Sequence, residues 1–157
     1  TFRLRKTQEV NTAYGAINAE LSAMNVTRPD IRDVSNAVIR IRQSKLPDPE
    51  VTGNAGSFFK NPEVSAANYT ALKEKFPELV AYPLANGDYK LAAGWLIEQC
   101  GLKGYEHNGA AVHDKQALVL VNRHHCTGLA VFELSDHVLA EVRKKFGVEL
   151  EREVNII

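Results

Sequence analysis

Two prolines separated by one residue, Pro47 and Pro49, constrain most strongly what this chain can fold into. Each fixes its own φ, removes a backbone donor and pushes the residue before it out of the helical region. Leu46-Pro47-Asp48-Pro49 must therefore run as an extended link. Upstream of it, Ile31, Val34, Val38 and Ile41 recur at helical spacing and leave Arg32, Asp33, Arg40 and Arg42 for the opposite face. Thr27-Arg28-Pro29-Asp30 reads as the start of that helix, with Thr27 as its cap and an acid three residues on. The helix ends before the prolines, and the link marks a domain boundary.

The remaining pattern predicts strands and helices interleaved. Phe2 to Leu4 alternates as a half-buried strand, and Ala16 to Met24 carries a short helical pattern. Beyond the link, Ser65 caps a helix bearing Tyr69, Leu72 and Phe76, which Pro77 stops. Val80 to Pro83 reads as a strand, Asn86-Gly87 as a turn, and Leu91 to Cys100 as a helix closed by Gly101. A polar stretch through Gly104, Asn108 and Gly109 precedes the buried strand Ala117 to Val121. Val131, Leu134, Val138, Val142 and Phe146 then mark a long amphipathic helix, with Gly147 just past its end. Val148 to Ile157 alternates as a final strand. With no sustained βαβ rhythm, the expected class is α+β, a mixed sheet with packed helices.

Composition removes several functions. Apolar residues at 45% and charged residues at 24% of 157 are those of a soluble globular chain. With 19 basic and 19 acidic residues there is no electrostatic footprint for nucleic acid. No stretch approaches the roughly 20 apolar residues of a membrane span, and no charged-then-apolar leader opens the chain. Cys100 and Cys126 are too few for a disulfide framework and are expected to stay reduced in a cytoplasmic setting. His124-His125-Cys126 lacks a second ligand cluster at metal spacing, so no metal is expected. Thr1-Phe2-Arg3-Leu4 reads as mid-strand sequence, which predicts a fragment.

The segment with chemical potential is Gly53-Asn54-Ala55-Gly56-Ser57-Phe58-Phe59-Lys60-Asn61-Pro62. Its glycines permit a tight turn and close approach to a ligand, and the following aromatics can anchor the strand in a core. One reading holds the Ser57 hydroxyl at a fixed point beside exposed N–H groups. The other makes Ser57 a turn residue bonding its own backbone, and local physics leaves both open. No G-x-G-x-x-G, Walker loop or G-x-S-x-G elbow is present.

Arg42-Gln43-Ser44-Lys45-Leu46-Pro47-Asp48-Pro49 running into Gly53 to Pro62 closely resembles the UDP-N-acetylenolpyruvoylglucosamine reductase family. The resemblance continues through Lys90 to Cys100 and Gly109 to His113, and spans about Phe2 to Val154. It implies three parts: residues 1–46 as a remnant of a flavin-binding domain with its linker helix, 47–150 as the substrate-binding C-terminal domain, and 151–157 as a terminal strand carrying a catalytic acid.

The resemblance also implies a reaction, the NADPH- and FAD-dependent reduction of UDP-N-acetylglucosamine enolpyruvate in bacterial cytoplasmic peptidoglycan precursor synthesis. Ser57 occupies the position of the proton donor and Glu153 that of the C-terminal carboxylate. Tyr14 would close over the diphosphate, Lys45 would charge-pair with a phosphate oxygen, and Asn61 and Gln116 would hydrogen-bond the uridine diphosphate. The usual terminal E-P-E-V plus a base here reads Glu151-Arg152-Glu153-Val154-Asn155, which leaves Glu151 and Glu153 both open as the acid. The family's flavin-binding region and an active-site arginine precede the matched part. The expectation is a chain inactive alone, with no flavin bound, with exposed sheet edges in residues 2–45 and partnered by the absent flavin domain. Two alternatives are a non-catalytic nucleotide-sugar binding module and a hydrolase using Ser57 with His113 as base.

Overall fold

Pro29 sets where the first long helix begins. The computed structural model describes residues 9–157, and these divide into two compact units that part between Leu46 and Pro47. The strand expected at Phe2 to Leu4, and with it the expected open sheet edge, lies outside the described residues.

In the first unit, helices α1 (Ile17–Ala23) and α2 (Ile31–Lys45) pack on each other. The cap of α2 is Asp30, not Thr27: Asp30 Oδ1 accepts the Arg32 and Asp33 N–H groups at 2.7 and 3.0 Å, and Asp33 Oδ2 accepts the Asp30 N–H at 3.0 Å. The same acid-at-three spacing recurs one step along. Pro29 disfavours helical geometry at Arg28 and so forbids the earlier start. Ile17, Leu21 and Ala37 form the core, with Val34 and Ile41 against it, whereas Ile31 and Val38 of the expected apolar stripe are exposed. The small Ala37 side chain is the fully buried one on α2, at the line where the helices meet. The C-cap of α2 is Leu46, in the extended conformation that Pro47 demands.

The second unit holds two antiparallel sheets, one of order β1-β7-β6-β5 and one of order β2-β4-β3. They comprise β1 (Gly53–Ser57), β2 (Glu63–Val64), β3 (Ala81–Pro83), β4 (Tyr89–Leu91), β5 (Glu106–His107), β6 (Ala110–Val112) and β7 (Val119–Asn122). The α+β class holds. Every strand pair described is antiparallel rather than mixed; between β3 and β4, β5 and β6, and β6 and β7 the connections are too short for a parallel crossover. The polar stretch after Gly104 is itself a hairpin. Asn108 and Gly109, with φ of 49° and 82°, form the two-residue loop between β5 and β6.

Three helices complete the unit: α3 (Ala66–Lys75), α4 (Ala93–Gln99) and α5 (Gly128–Phe146). Ser65 caps α3 as its sequence predicts, accepting the Asn68 N–H at 3.3 Å. Helix α4 begins later than Leu91, because Leu91 pairs with Ala81 in β4 and donates its N–H to the Pro62 carbonyl at 2.8 Å. Along α5, Ala130, Leu134, Val138, Val142 and Phe146 are buried at a spacing of four, with Thr127 capping one end and Gly147, at φ 67°, closing the other. This face meets Phe59, Leu91, Leu96, Ile97 and the β6–β7 hairpin in one core. The expected final strand Val148 to Ile157 reduces to one bridge, Arg152 opposite Phe59.

Candidate active site

Ser57 owes its position to a bulge. Asn54 pairs with Val121 and Ser57 with Val119, so three steps on β1 face two on β7 and one residue is extra. Gly56 absorbs it at φ 73°, and Asn54 Oδ1 accepts the Gly56 N–H at 3.1 Å. Phe58 and Phe59 are buried directly after it, with ring centroids 5.3 Å apart, and Phe58 donates its N–H to the Leu118 carbonyl at 2.7 Å. Ser57 is therefore an exposed residue at the end of a strand clamped on both sides.

The terminal segment runs along the same stretch. Glu153 donates its N–H to the Phe58 carbonyl at 2.9 Å, and Lys60 donates to the Glu151 carbonyl at 2.8 Å. The two acids are exposed and Arg152 between them is half-buried, the alternation of an extended chain. Their surroundings differ. The Glu151 carboxylate pairs with the Lys60 ammonium. Among the described residues, Glu153 has no such side-chain partner, and it is the acid whose backbone is tied next to Ser57. Arg152, by contrast, turns toward α5, where Nε bonds Ser135 Oγ at 2.8 Å, a terminal nitrogen pairs with Asp136, and the guanidinium lies 4.7 Å from the Phe132 ring centre.

Gln116 enters from the β6–β7 connection. Its carbonyl accepts the Val119 N–H at 2.9 Å, and Val119 is the residue paired with Ser57. Its own N–H donates to His113 Nδ1 at 3.2 Å. That bond makes Nδ1 an acceptor and engages the nitrogen facing Gln116. Burial pushes the His113 pKa below its ordinary value, the neighbouring cations Lys115 and Arg123 lower it further, and Asp114 opposes them. No hydrogen bond joins His113 to Ser57 among the described residues, so the geometry gives no support to a serine–histidine hydrolase.

Asn61 has a structural task. Its Oδ1 accepts the N–H of Ala93, the first residue of α4, at 2.9 Å. Tyr14 and Lys45 belong to the first unit: Tyr14 is 83% exposed just before α1, and Lys45 is the exposed last residue of α2. Thus backbone bonds link Glu153 to Phe58, the residue after Ser57, and Gln116 to Val119, the residue paired with Ser57, and Asn61 lies four residues beyond Ser57 along the same chain segment. The pairing of Lys60 with Glu151, and of Arg152 with Ser135 and Asp136, has no local signal in the sequence, since each joins residues far apart in the chain. An open groove of about 380 Å³, lined by Pro62, Asn68, Leu72, Lys75, Phe146 and Glu149 among others, has none of the candidate residues in its lining.

His124-His125-Cys126 forms the loop into α5, with Asn122 Oδ1 accepting the Cys126 N–H at 2.8 Å. Cys100 and Cys126 are free thiols, and burial raises the pKa of Cys100. No helix among the described residues is long and apolar enough to cross a membrane.

Comparison with known proteins agrees with the motifs. Residues 48–157 match the family described as UDP-N-acetylenolpyruvoylglucosamine reductase, C-terminal domain. The chain is 57% identical over 156 residues to the UDP-N-acetylenolpyruvoylglucosamine reductase of Chromobacterium violaceum, covering 99% of the chain and 46% of that relative. It is 53% identical to the protein of that name from Burkholderia orbicola, covering 98% of the chain and 44% of the relative. For the one from Flavobacterium johnsoniae the identity is 48%, over 98% of the chain and 45% of the relative. The chain spans just under half the length of these curated relatives. It belongs to the UDP-N-acetylenolpyruvoylglucosamine reductase family, with residues 48–157 as the family's C-terminal domain.

Proposed function

We propose that this chain is the substrate-side part of a bacterial, cytoplasmic reductase that converts the enolpyruvyl ether of UDP-N-acetylglucosamine to the lactyl ether of UDP-N-acetylmuramate for peptidoglycan synthesis. The observation that carries the reading is the Glu153 N–H bond to the Phe58 carbonyl at 2.9 Å, which ties a carboxylate-bearing residue beside the one that follows Ser57. Reduction of the double bond needs a hydride at C3 and a proton at C2. The hydride is the part of the chemistry that FAD, recharged by NADPH, supplies when bound. The described residues do not fit that group: the chain has no G-x-G-x-x-G segment, and the glycines of β1 lie in a strand paired with β7.

What the chain's own residues do follows from their chemistry. Ser57 Oγ–H delivers its proton to C2. A serine hydroxyl is a weak acid, so it serves only against a strongly basic carbon and when fixed in place, and the bulge and the buried phenylalanines fix it. Glu153 acts beside it on the enolic intermediate. Gln116 and the amide nitrogen of Asn61, which has no partner among the described residues, hydrogen-bond the uridine diphosphate, and the family resemblance assigns Lys45 to a phosphate oxygen and Tyr14 to the diphosphate.

The test is a half-reaction experiment on the full-length protein. Ser57→Ala is expected to leave flavin reduction by NADPH within about twofold and to slow reoxidation by the enolpyruvyl substrate by about a hundredfold or more. Equal loss in both halves would make Ser57 structural. Unchanged reoxidation would mean that Ser57 is not the proton donor, and no reoxidation by the substrate in the parent protein would leave only a nucleotide-sugar binding role for the domain.

A further inference from the structure

The segment that bears Glu153 has little backbone pairing of its own. Beyond Leu150 it makes one bridge, Arg152 opposite Phe59, flanked by the bonds of Lys60 to Glu151 and Glu153 to Phe58. A strand so short is weakly specified in register, and a slip of one residue would exchange the directions of Arg152 and its two acidic neighbours. Something else must hold it.

Helix α5 carries that grip. Ser135 is the one polar residue buried among the described residues, on a helix face otherwise built from Leu134, Val138 and Val142. Its hydroxyl donates to the Phe132 carbonyl at 2.6 Å and accepts Arg152 Nε at 2.8 Å, so the arginine supplies the donor that such an oxygen requires. The same guanidinium pairs with Asp136 and lies over the Phe132 ring. Three contacts from one planar group leave Arg152 a single direction, and alternation then sends the next side chain to the other side.

We propose that Arg152 is a positioning residue for Glu153: gripping α5 through Ser135, Asp136 and the Phe132 ring, it fixes the register of the terminal segment and so where the Glu153 carboxylate stands relative to Ser57. The inference rests on the assignment of Glu153 made above.

The experiment uses the full-length protein with Arg152→Lys, Glu153→Gln and the double variant. Lysine keeps the charge and stem but cannot reach Ser135 and Asp136 while covering Phe132. Arg152→Lys is expected to lower kcat by about tenfold with KM within about twofold, and the double variant to be no slower than Glu153→Gln alone. Amide exchange in residues 58–60 and 151–153 should quicken by about tenfold, with the α5 core unchanged. Asp136→Asn, altering a half-exposed side chain, should shift both readouts in the same direction and keeps the test open if Arg152→Lys does not fold. Unchanged exchange, or kcat losses that multiply in the double variant, would overturn the proposal. A Glu153→Gln variant at full kcat would end it too. Faster exchange in Arg152→Lys alongside that result would show that the fault lay with the assignment of Glu153, not with the grip.

Discussion

Asn61 and Ala93 are joined across 32 residues of chain by a 2.9 Å hydrogen bond from the Ala93 N–H to Asn61 Oδ1. Helix α4 has no cap from its own N-cap residue, Ala92, so a side chain from the β1–β2 connection does that work. The amide's two ends then divide: the oxygen holds the helix, and the nitrogen is left for the proposed ligand. Asn61→Ala should lower unfolding stability by about 1 kcal/mol through the lost cap. Asn61→Asp keeps the acceptor and should stay near the parent in urea unfolding while raising KM in the full-length protein. Equal loss of stability in both variants would show that the cap does not depend on that oxygen.

The bulge before Ser57 offers a second test. A Cβ at Gly56 would meet nothing within 4 Å, so the φ of 73° is the whole objection to a side chain there. Gly56→Ala should cost about 1–2 kcal/mol. Gly53 has no positive φ, and its Cβ would make an ordinary 3.5 Å contact with Asn122. Gly53→Ala should stay within about 0.5 kcal/mol. Matching costs at the two glycines would mean the bulge does not need its left-handed residue.

A third concerns pH. Burial first, and then Lys115 and Arg123, hold the His113 pKa below the ordinary histidine value of 6.5. The unfolded chain therefore takes up a proton before the folded one does. The stability His113 contributes is fully present above about pH 6.5 and is lost as pH falls through its lower folded value. Protonation also removes the Nδ1 acceptor of the Gln116 N–H. Urea midpoints measured from about pH 7.5 down to 5 should fall, and the fall should be shallower in His113→Gln, which cannot titrate. An identical slope in the variant would place the pH dependence elsewhere.

Much of the fold could be read from the chain because its signals are local. Pro47 and Pro49 mark the link between the helix ending at Lys45 and the strand at Gly53, Ser65 caps α3, and Gly147 ends α5, each acting on backbone within a turn of itself. The fourfold spacing of Leu134, Val138, Val142 and Phe146 reports a buried face for the same reason. Even the misplaced start of α2 had its correction nearby, in Pro29. The Asn108-Gly109 hairpin likewise had a local signal of the kind that marks Asn86-Gly87 as a turn.

What the tertiary structure decided is of another kind. Glu151 and Glu153 alternate identically in the sequence, and their surroundings differ only once Lys60, far earlier in the chain, pairs with Glu151 and the Phe58 carbonyl takes the Glu153 N–H. Arg152 looks like an unexplained substitution until Ser135 and Asp136 meet it from α5, and Asn61 shows no sign of holding a helix until Ala93 arrives from 32 residues away. Caps, turns and amphipathic faces depend on neighbours in the chain and are written there. The pairing of one polar group with another depends on which surfaces the packed core brings together, and that is settled only when the chain is folded.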